Sequence, residues 1–187
     1  MAENIQKTKI KIAIIAGELS GDELGAPLMH SIKAINPSIE FIGVGGPKMI
    51  SEGLDTCFNI NEISVMGIIE PLLNLGRLLK LRKQLKEYFI KEKPDLFIGI
   101  DSPDFNLPIA KFLKKNTGIK AIQYVSPSVW AWRKGRIKSM ENSIDSVLTL
   151  FPFEESAYLG SKIKVSYVGH PLSYNCLLYT SDAADDA

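Results

Sequence analysis

Apolar runs and polar breaks alternate along this chain with two distinct textures. Lys9 to Ala16 begins polar and ends wholly apolar. Ile39 to Val44, Leu96 to Ile100, Lys120 to Val125, Asp145 to Leu150 and Lys164 to Val168 are short runs of the same kind. Uninterrupted runs of strand length, rather than alternating ones, suit a parallel sheet buried on both faces. Between them the spacing turns helical. Leu24, Leu28, Ile32 and Ile35 recur on one face up to the stop signal Asn36-Pro37. Leu78, Leu81, Leu85, Tyr88 and Phe89 form a core stripe on a helix that starts near Leu75. Phe105 to Asn116 predicts a further helix with a glycine stop at Thr117-Gly118. Pro47, after Gly45-Gly46, is placed at a first helical position, and Pro152-Phe153-Glu154-Glu155 opens another short helix. The alternation of β and α predicts one doubly wound parallel α/β sheet.

Composition narrows the class. The length of 187 residues suits a single domain with a full core, on the usual scale of about 100–200 residues per domain. Hydrophobic residues at 45% and charged residues at 23% describe an ordinary globular chain, and a net charge of +1 gives no case for nucleic acid. Two cysteines, Cys57 and Cys176, are too few for a disulfide framework or a cysteine zinc site and fit a reducing cytosol. The polar start and the brevity of Ile12 to Ala16 argue against a leader or a membrane span.

Candidate chemistry gathers where strands end. Asp101 follows the apolar run Leu96–Ile100, and in open α/β sheets ligands bind beyond the carboxyl strand ends. A carboxylate there is a candidate general base. The structural alternative is a helix cap, which suits Asp104; Asp101 stands too far ahead of the helix to cap it well. After the first strand comes Gly17-Glu18-Leu19-Ser20-Gly21-Asp22, a glycine loop that matches neither the G-x-G-x-x-G nor the P-loop pattern. Its two acids suit sugar hydroxyls or an amine better than a phosphate, and Ser20 or Asp22 is expected to cap the helix that follows. His30 reads as a packed or solvated histidine. The run from Ser126 to Arg136 carries Trp130, Trp132 and Arg133, rings for stacking on sugars or acyl chains and a cation for phosphate, with one tryptophan expected to plug the core. The last strand leads to His170 before Pro171. Ile69, Leu72, Leu73, Leu75 and Leu79 spread more than halfway round a helix beside Arg77, Lys80, Arg82, Lys83 and Lys86. Excess apolar surface beside basic charge suits an anionic membrane surface, with plain core packing as the equal alternative.

Taken together, Gly17-Glu18-Leu19-Ser20-Gly21-Asp22, Val65-Met66-Gly67-Ile68, Gly99 to Asn106, Tyr124 to Arg133 and Gly169-His170-Pro171 resemble, in order and spacing, the N-terminal half of lipid-A-disaccharide synthase. The resemblance covers about residues 9 to 175. It implies the N-terminal Rossmann-like domain of a GT-B type inverting glycosyltransferase of lipid A biosynthesis. Such an enzyme moves diacylglucosamine from a UDP-diacylglucosamine donor to a diacylglucosamine 1-phosphate acceptor, with no metal and no cofactor. By that resemblance Asp101 is the catalytic base that takes the proton of the acceptor's 6-hydroxyl. Glu18, Ser20, Gly21, Asp22, Ser126, Trp130, Trp132, Arg133 and His170 are substrate-binding residues. Ile69, Leu72, Leu75, Leu78 and Leu79 contact the membrane, with Pro71 where the family usually has a simple aliphatic residue. The implied setting is the cytoplasm, peripheral on the inner face of the cytoplasmic membrane, with room for a homodimer. The domain is placed at residues 1–175. Residues 176–187 are expected to be foreign to the fold, and a C-terminal donor-binding domain is expected to be missing, which makes the chain an inactive half-enzyme. Two readings from other classes stay open on the residues alone: a nucleotide-dependent oxidoreductase, and a non-catalytic membrane-surface binding module.

Overall fold

The computed structural model describes residues 9–64, 75–127 and 134–173. Its centre is a seven-stranded, wholly parallel sheet made of β1 (Lys11–Ala16), β2 (Glu40–Val44), β3 (Leu54–Thr56), β4 (Leu96–Ile100), β5 (Lys120–Tyr124), β6 (Ser146–Thr149) and β7 (Lys164–Tyr167), in the order β3-β2-β1-β4-β5-β6-β7. The helices are α1 (Leu19–Ile35), α2 (Pro47–Ser51), α3 (Asn61–Ser64), α4 (Leu75–Glu92), α5 (Pro103–Thr117) and α6 (Lys134–Met140), with a 3₁₀ helix over Pro152–Tyr158. The doubly wound fold expected from the apolar runs is therefore present, with strand ends within a residue or two of those read. The edge strand β3 carried no apolar run and was not among the strands expected.

Burial on both faces explains the uninterrupted runs. Along β1, Ile12, Ile14 and Ala16 point to one layer, where they meet Leu24 and Met29 of α1 and Met49 of α2. Ala13 and Ile15 point to the other, which holds Leu85 and Phe89 of α4 and Ile109 and Leu113 of α5. Each strand residue thus removes apolar surface from water whichever way it points, at about 25 cal/mol per Å² buried. The expected stripe of α4 is observed. Leu81, Leu85 and Phe89 are buried, and Leu78 and Tyr88 pack against the same cluster.

The strand order matters most for function. β1 lies between β2 and β4, so the chain winds outward to one side through β2 and β3, then returns to β4 and winds to the other. The crevice between the carboxyl ends of β1 and β4 is the switch point, where the loops of neighbouring strands diverge and leave room for a ligand.

Candidate functional site

Asp101 stands at that switch point, immediately after β4. Its backbone adopts φ 50°, Ser102 follows at φ 36°, and Val125 at the end of β5 has φ 75°. Three positions after the ends of two neighbouring strands in left-handed geometry, one of them β-branched, are costly for residues with a Cβ. Side-chain amides hold Asp101 there. Asn106 Nδ2 donates to the Asp101 carbonyl at 2.9 Å and Gln123 Nε2 donates to the same oxygen at 2.9 Å, while the Asp101 N–H donates to the Tyr124 carbonyl at 2.9 Å. Asn106 is fully buried and approaches only because residue 99 is glycine, since a Cβ there would stand 2.7 Å from the Asn106 Cβ. The carboxylate itself is left to the crevice, where the Ser20 hydroxyl donates to Oδ2 at 3.3 Å.

The glycine loop after β1 divides its expected roles. Glu18 occupies the N-cap position of α1, exposed, and its carbonyl rather than its side chain receives the first N–H groups of the helix. Neither Ser20 nor Asp22 caps α1, because both already lie inside its first turns. Gly21 serves packing: a Cβ there would lie 3.1 Å from the Ala16 Cβ, so glycine lets α1 sit close against β1. Asp22 is buried at 3% exposure and caps the neighbouring helix. Its Oδ1 accepts from the N–H groups of Gly46 and Met49, both at 2.9 Å, and its Oδ2 from that of Lys48 at 3.0 Å. A carboxylate so occupied serves the N-terminus of α2, where backbone N–H groups otherwise lack partners.

Ser126 also turns inward. It is buried, shares a 2.7 Å hydrogen bond with the Tyr158 hydroxyl, and donates to the Pro127 carbonyl at 3.0 Å. Burial raises the pKa of Tyr158, so that phenol stays neutral and able to donate. Trp130, Trp132 and Arg133 lie outside the described residues. Asp104 does not cap α5: that position belongs to Ser102, and Asp104 is the second helical residue, its carboxylate paired with Arg136 and its carbonyl accepting from Arg82 at 2.5 Å. His170 and Ser20 both line a cavity of about 800 Å³ along α1, together with Lys48 and His30, and His170 Nδ1 accepts from the Leu172 N–H at 3.2 Å. His30 is solvated, 3.3 Å from Glu52.

Of the apolar residues assigned to a membrane surface, Ile69 and Leu72 lie outside the described residues and nothing is described of the Leu75 side chain. Leu78 packs on the core, whereas Leu79 is 53% exposed beside the exposed Lys80 and Lys83. No described helix is long and apolar enough to cross a membrane. Sequence reasoning missed Asn106 and Gln123. The available signal was an amide on the apolar face of a helix and another inside an apolar strand, each needing a buried partner.

Similarity to known proteins follows the same geometry. Two solved structures share the fold: MurG of Acinetobacter baumannii, at TM-score 0.54 and 13% identity over 87% of this chain and 46% of that one, and a glycosyltransferase from Rickettsia africae, at 0.54 and 17% over 94% and 50%. In sequence, the lipid-A-disaccharide synthase of Idiomarina loihiensis is 53% identical over 163 residues, 87% of this chain and 43% of that protein. That of Methylobacillus flagellatus is 49% identical over 162 residues, again 87% and 43%. That of Alcanivorax borkumensis is 51% identical over 172 residues, 92% and 45%. The chain thus spans somewhat under half the length of the curated relatives it matches. The family pattern described as lipid-A-disaccharide synthetase matches residues 12–185, running from β1 past the last described residue, and the chain belongs to that family.

Proposed function

We propose that this chain forms the acceptor-binding, base-bearing part of an inverting glycosyltransferase. In this reading it acts on 2,3-diacylglucosamine 1-phosphate with UDP-2,3-diacylglucosamine as donor and yields the disaccharide 1-phosphate and UDP. Membership of the family supplies the reaction. The observation that carries the local reading is the Ser20–Asp101 hydrogen bond across the β1/β4 switch point, which sets one carboxylate in the crevice with a hydroxyl to orient it. Asp101 accepts the proton of the acceptor's 6-hydroxyl as that oxygen attacks the donor's anomeric carbon. The bond from that carbon to the UDP oxygen breaks on the opposite face, so the configuration inverts and UDP leaves with the electron pair. Glu18 and Ser20, exposed at the start of α1, and His170, which lines the same cavity as Ser20, are assigned to sugar hydroxyls. Trp130, Trp132 and Arg133 keep their assignment to the lipid sugar and its phosphate. Asp22, Gly21 and Ser126 support the walls of the site.

Leu79 and the exposed Arg77, Lys80 and Lys83 are assigned to an anionic membrane surface, which sets the protein at the cytoplasmic face where its lipid substrates reside. The decisive experiment uses a full-length family member carrying this segment. Asp101→Asn keeps size and hydrogen bonding but removes basicity, so kcat falls by roughly 10²–10⁴-fold with KM unchanged. Near-normal turnover in a folded variant would place the base elsewhere, with Glu18 and His170 the next groups to test.

A further inference from the structure

Beside Asp101 the carboxyl edge changes character. Over β1, β2 and β3 lies a cavity of about 610 Å³, walled by the first turn of α1, the turn into α2 and the segment after β3. Leu19, Pro47, Ile50, Phe58 and Ile60 supply carbon to it. Three polar residues of its wall spend their side-chain atoms on local backbone: Thr56 Oγ1 donates to the Phe58 carbonyl at 2.8 Å, Cys57 Sγ donates to the Gly43 carbonyl at 3.2 Å, and Asn59 Oδ1 accepts from the Asn61 N–H at 2.9 Å. Asn61 and Glu62 also line it, and Glu62 lies 3.9 Å from Arg77. Burial also pushes the Cys57 thiol up to about 12, which keeps it uncharged. The wall is pre-formed, because the buried Asp22 carboxylate fixes the backbone from Gly46 to Met49. Leu19 and Ile50 are nevertheless 58% and 46% exposed, an apolar lining without an apolar filling.

Volumes of this size, mostly apolar with a reactive polar group at one side, are those of small-molecule sites. Leu19 and Ser20 both belong to the first turn of α1, so the cavity walled by Leu19 opens within one helical turn of the hydroxyl that reaches Asp101. We propose that the cavity binds one fatty-acyl chain of the lipid acceptor and so positions the sugar hydroxyl at Asp101. The inference rests on the lipid-linked acceptor proposed above. It adds the site that takes the chain and the residues, Leu19 and Ile50, that set how much of it is held.

The test measures binding of n-alkyl β-D-glucosides of six to ten carbons, below their micelle concentrations, to the 187-residue chain by titration calorimetry. Burial of each added methylene should tighten binding about fourfold until the cavity is full. Leu19→Ser with Ile50→Ser should flatten that dependence, and both positions are exposed enough for the change to spare the core. Ile50→Leu, which keeps the apolar wall, should retain it. Decanoate, with an alkyl chain but no sugar, should bind more weakly than the decyl glucoside; equal binding would make the cavity a fatty-acid site and overturn the acceptor assignment. A dependence absent from the unaltered chain, or unchanged in the double serine variant, would overturn the acyl site. Asp101→Asn should leave the dependence intact. Loss of turnover in Asp101→Asn without any chain-length dependence therefore removes only this inference, whereas the dependence without any need for Asp101 removes only the proposed base.

Discussion

The turns after β2 and after β4 occupy equivalent places on the carboxyl edge, and they are built on opposite principles. After β2 the chain enters α2 through Gly46 and Pro47, residues suited to an N-cap and a first helical position, and the N–H groups of Gly46, Lys48 and Met49 all point to the buried Asp22 carboxylate. After β4 it enters α5 through Asp101 and Ser102, both left-handed, and Ser102 makes no side-chain cap. Two buried amides, Asn106 and Gln123, then hold the Asp101 carbonyl in place. Both turns carry an aspartate in reach. One aspartate completes the fold. The other is held in an unfavourable backbone conformation with its carboxylate facing the crevice, which is the pattern expected where geometry serves chemistry at the expense of local stability.

If that contrast is right, the largest loss of stability comes from the aspartate that does no chemistry. Asp22→Ala leaves three backbone N–H groups beside a buried void and should cost on the order of 3 kcal/mol, read as a lowered denaturation midpoint at unchanged slope. A loss under about 1 kcal/mol would mean that water or another group satisfies the α2 terminus.

Gln123→Met probes the turn after β4 more gently. It removes one of the two amides on the Asp101 carbonyl while keeping volume. In a full-length enzyme kcat should fall roughly tenfold with little change in KM, since the base is displaced rather than removed. Asn106→Leu should act in the same direction. A change confined to KM would assign these amides to substrate binding instead.

These two residues also mark where the sequence ceased to be readable. The apolar runs revealed six strands, the three long helices α1, α4 and α5 and the position of Asp101 at a strand end, because burial on two faces and helical periodicity are written locally. The value of Gln123 depends on the register that sets it opposite Gly99 in the neighbouring strand, and that of Asn106 on the missing Cβ of the same glycine. Asp22 presented the same difficulty. Its partners lie 24 to 27 residues further on, so an N-cap of its own helix was the natural expectation. The edge strand β3, three residues long, is too short for any period to show. The tryptophan-bearing run at 128–133 and the apolar residues Ile69 and Leu72 were the most distinctive features of the sequence, and they lie outside the described residues.

The amino edge of the sheet supplies a smaller contrast. Asp145 accepts from the Ala121 N–H at 3.0 Å and pairs with Lys114 at 3.0 Å and Lys120 at 3.4 Å. Burial works to raise its pKa, but the backbone N–H and the two lysines outweigh it and the pKa is lowered. A depressed carboxylate pKa gives stability that is present above the unfolded-state value and lost as pH falls through the folded one. Lys114→Met should therefore lower stability at neutral pH by about 1 kcal/mol or less, with the difference from the unaltered chain vanishing in acid. A constant difference at all pH values would point to lost packing rather than charge.

The central claim, that Asp101 is kept at its place for chemistry and not for the fold, is tested most directly by the thermal midpoint of Asp101→Gly. Glycine adopts φ 50° without a Cβ clash, and the relief offsets its greater freedom in the unfolded chain. The midpoint should stay where it is or rise by a few degrees, on the usual scale of about 2–4 °C per kcal/mol for a chain of this size. A midpoint lowered by several degrees, as expected for Asp22→Ala, would contradict the claim and return Asp101 to the residues that hold the structure together.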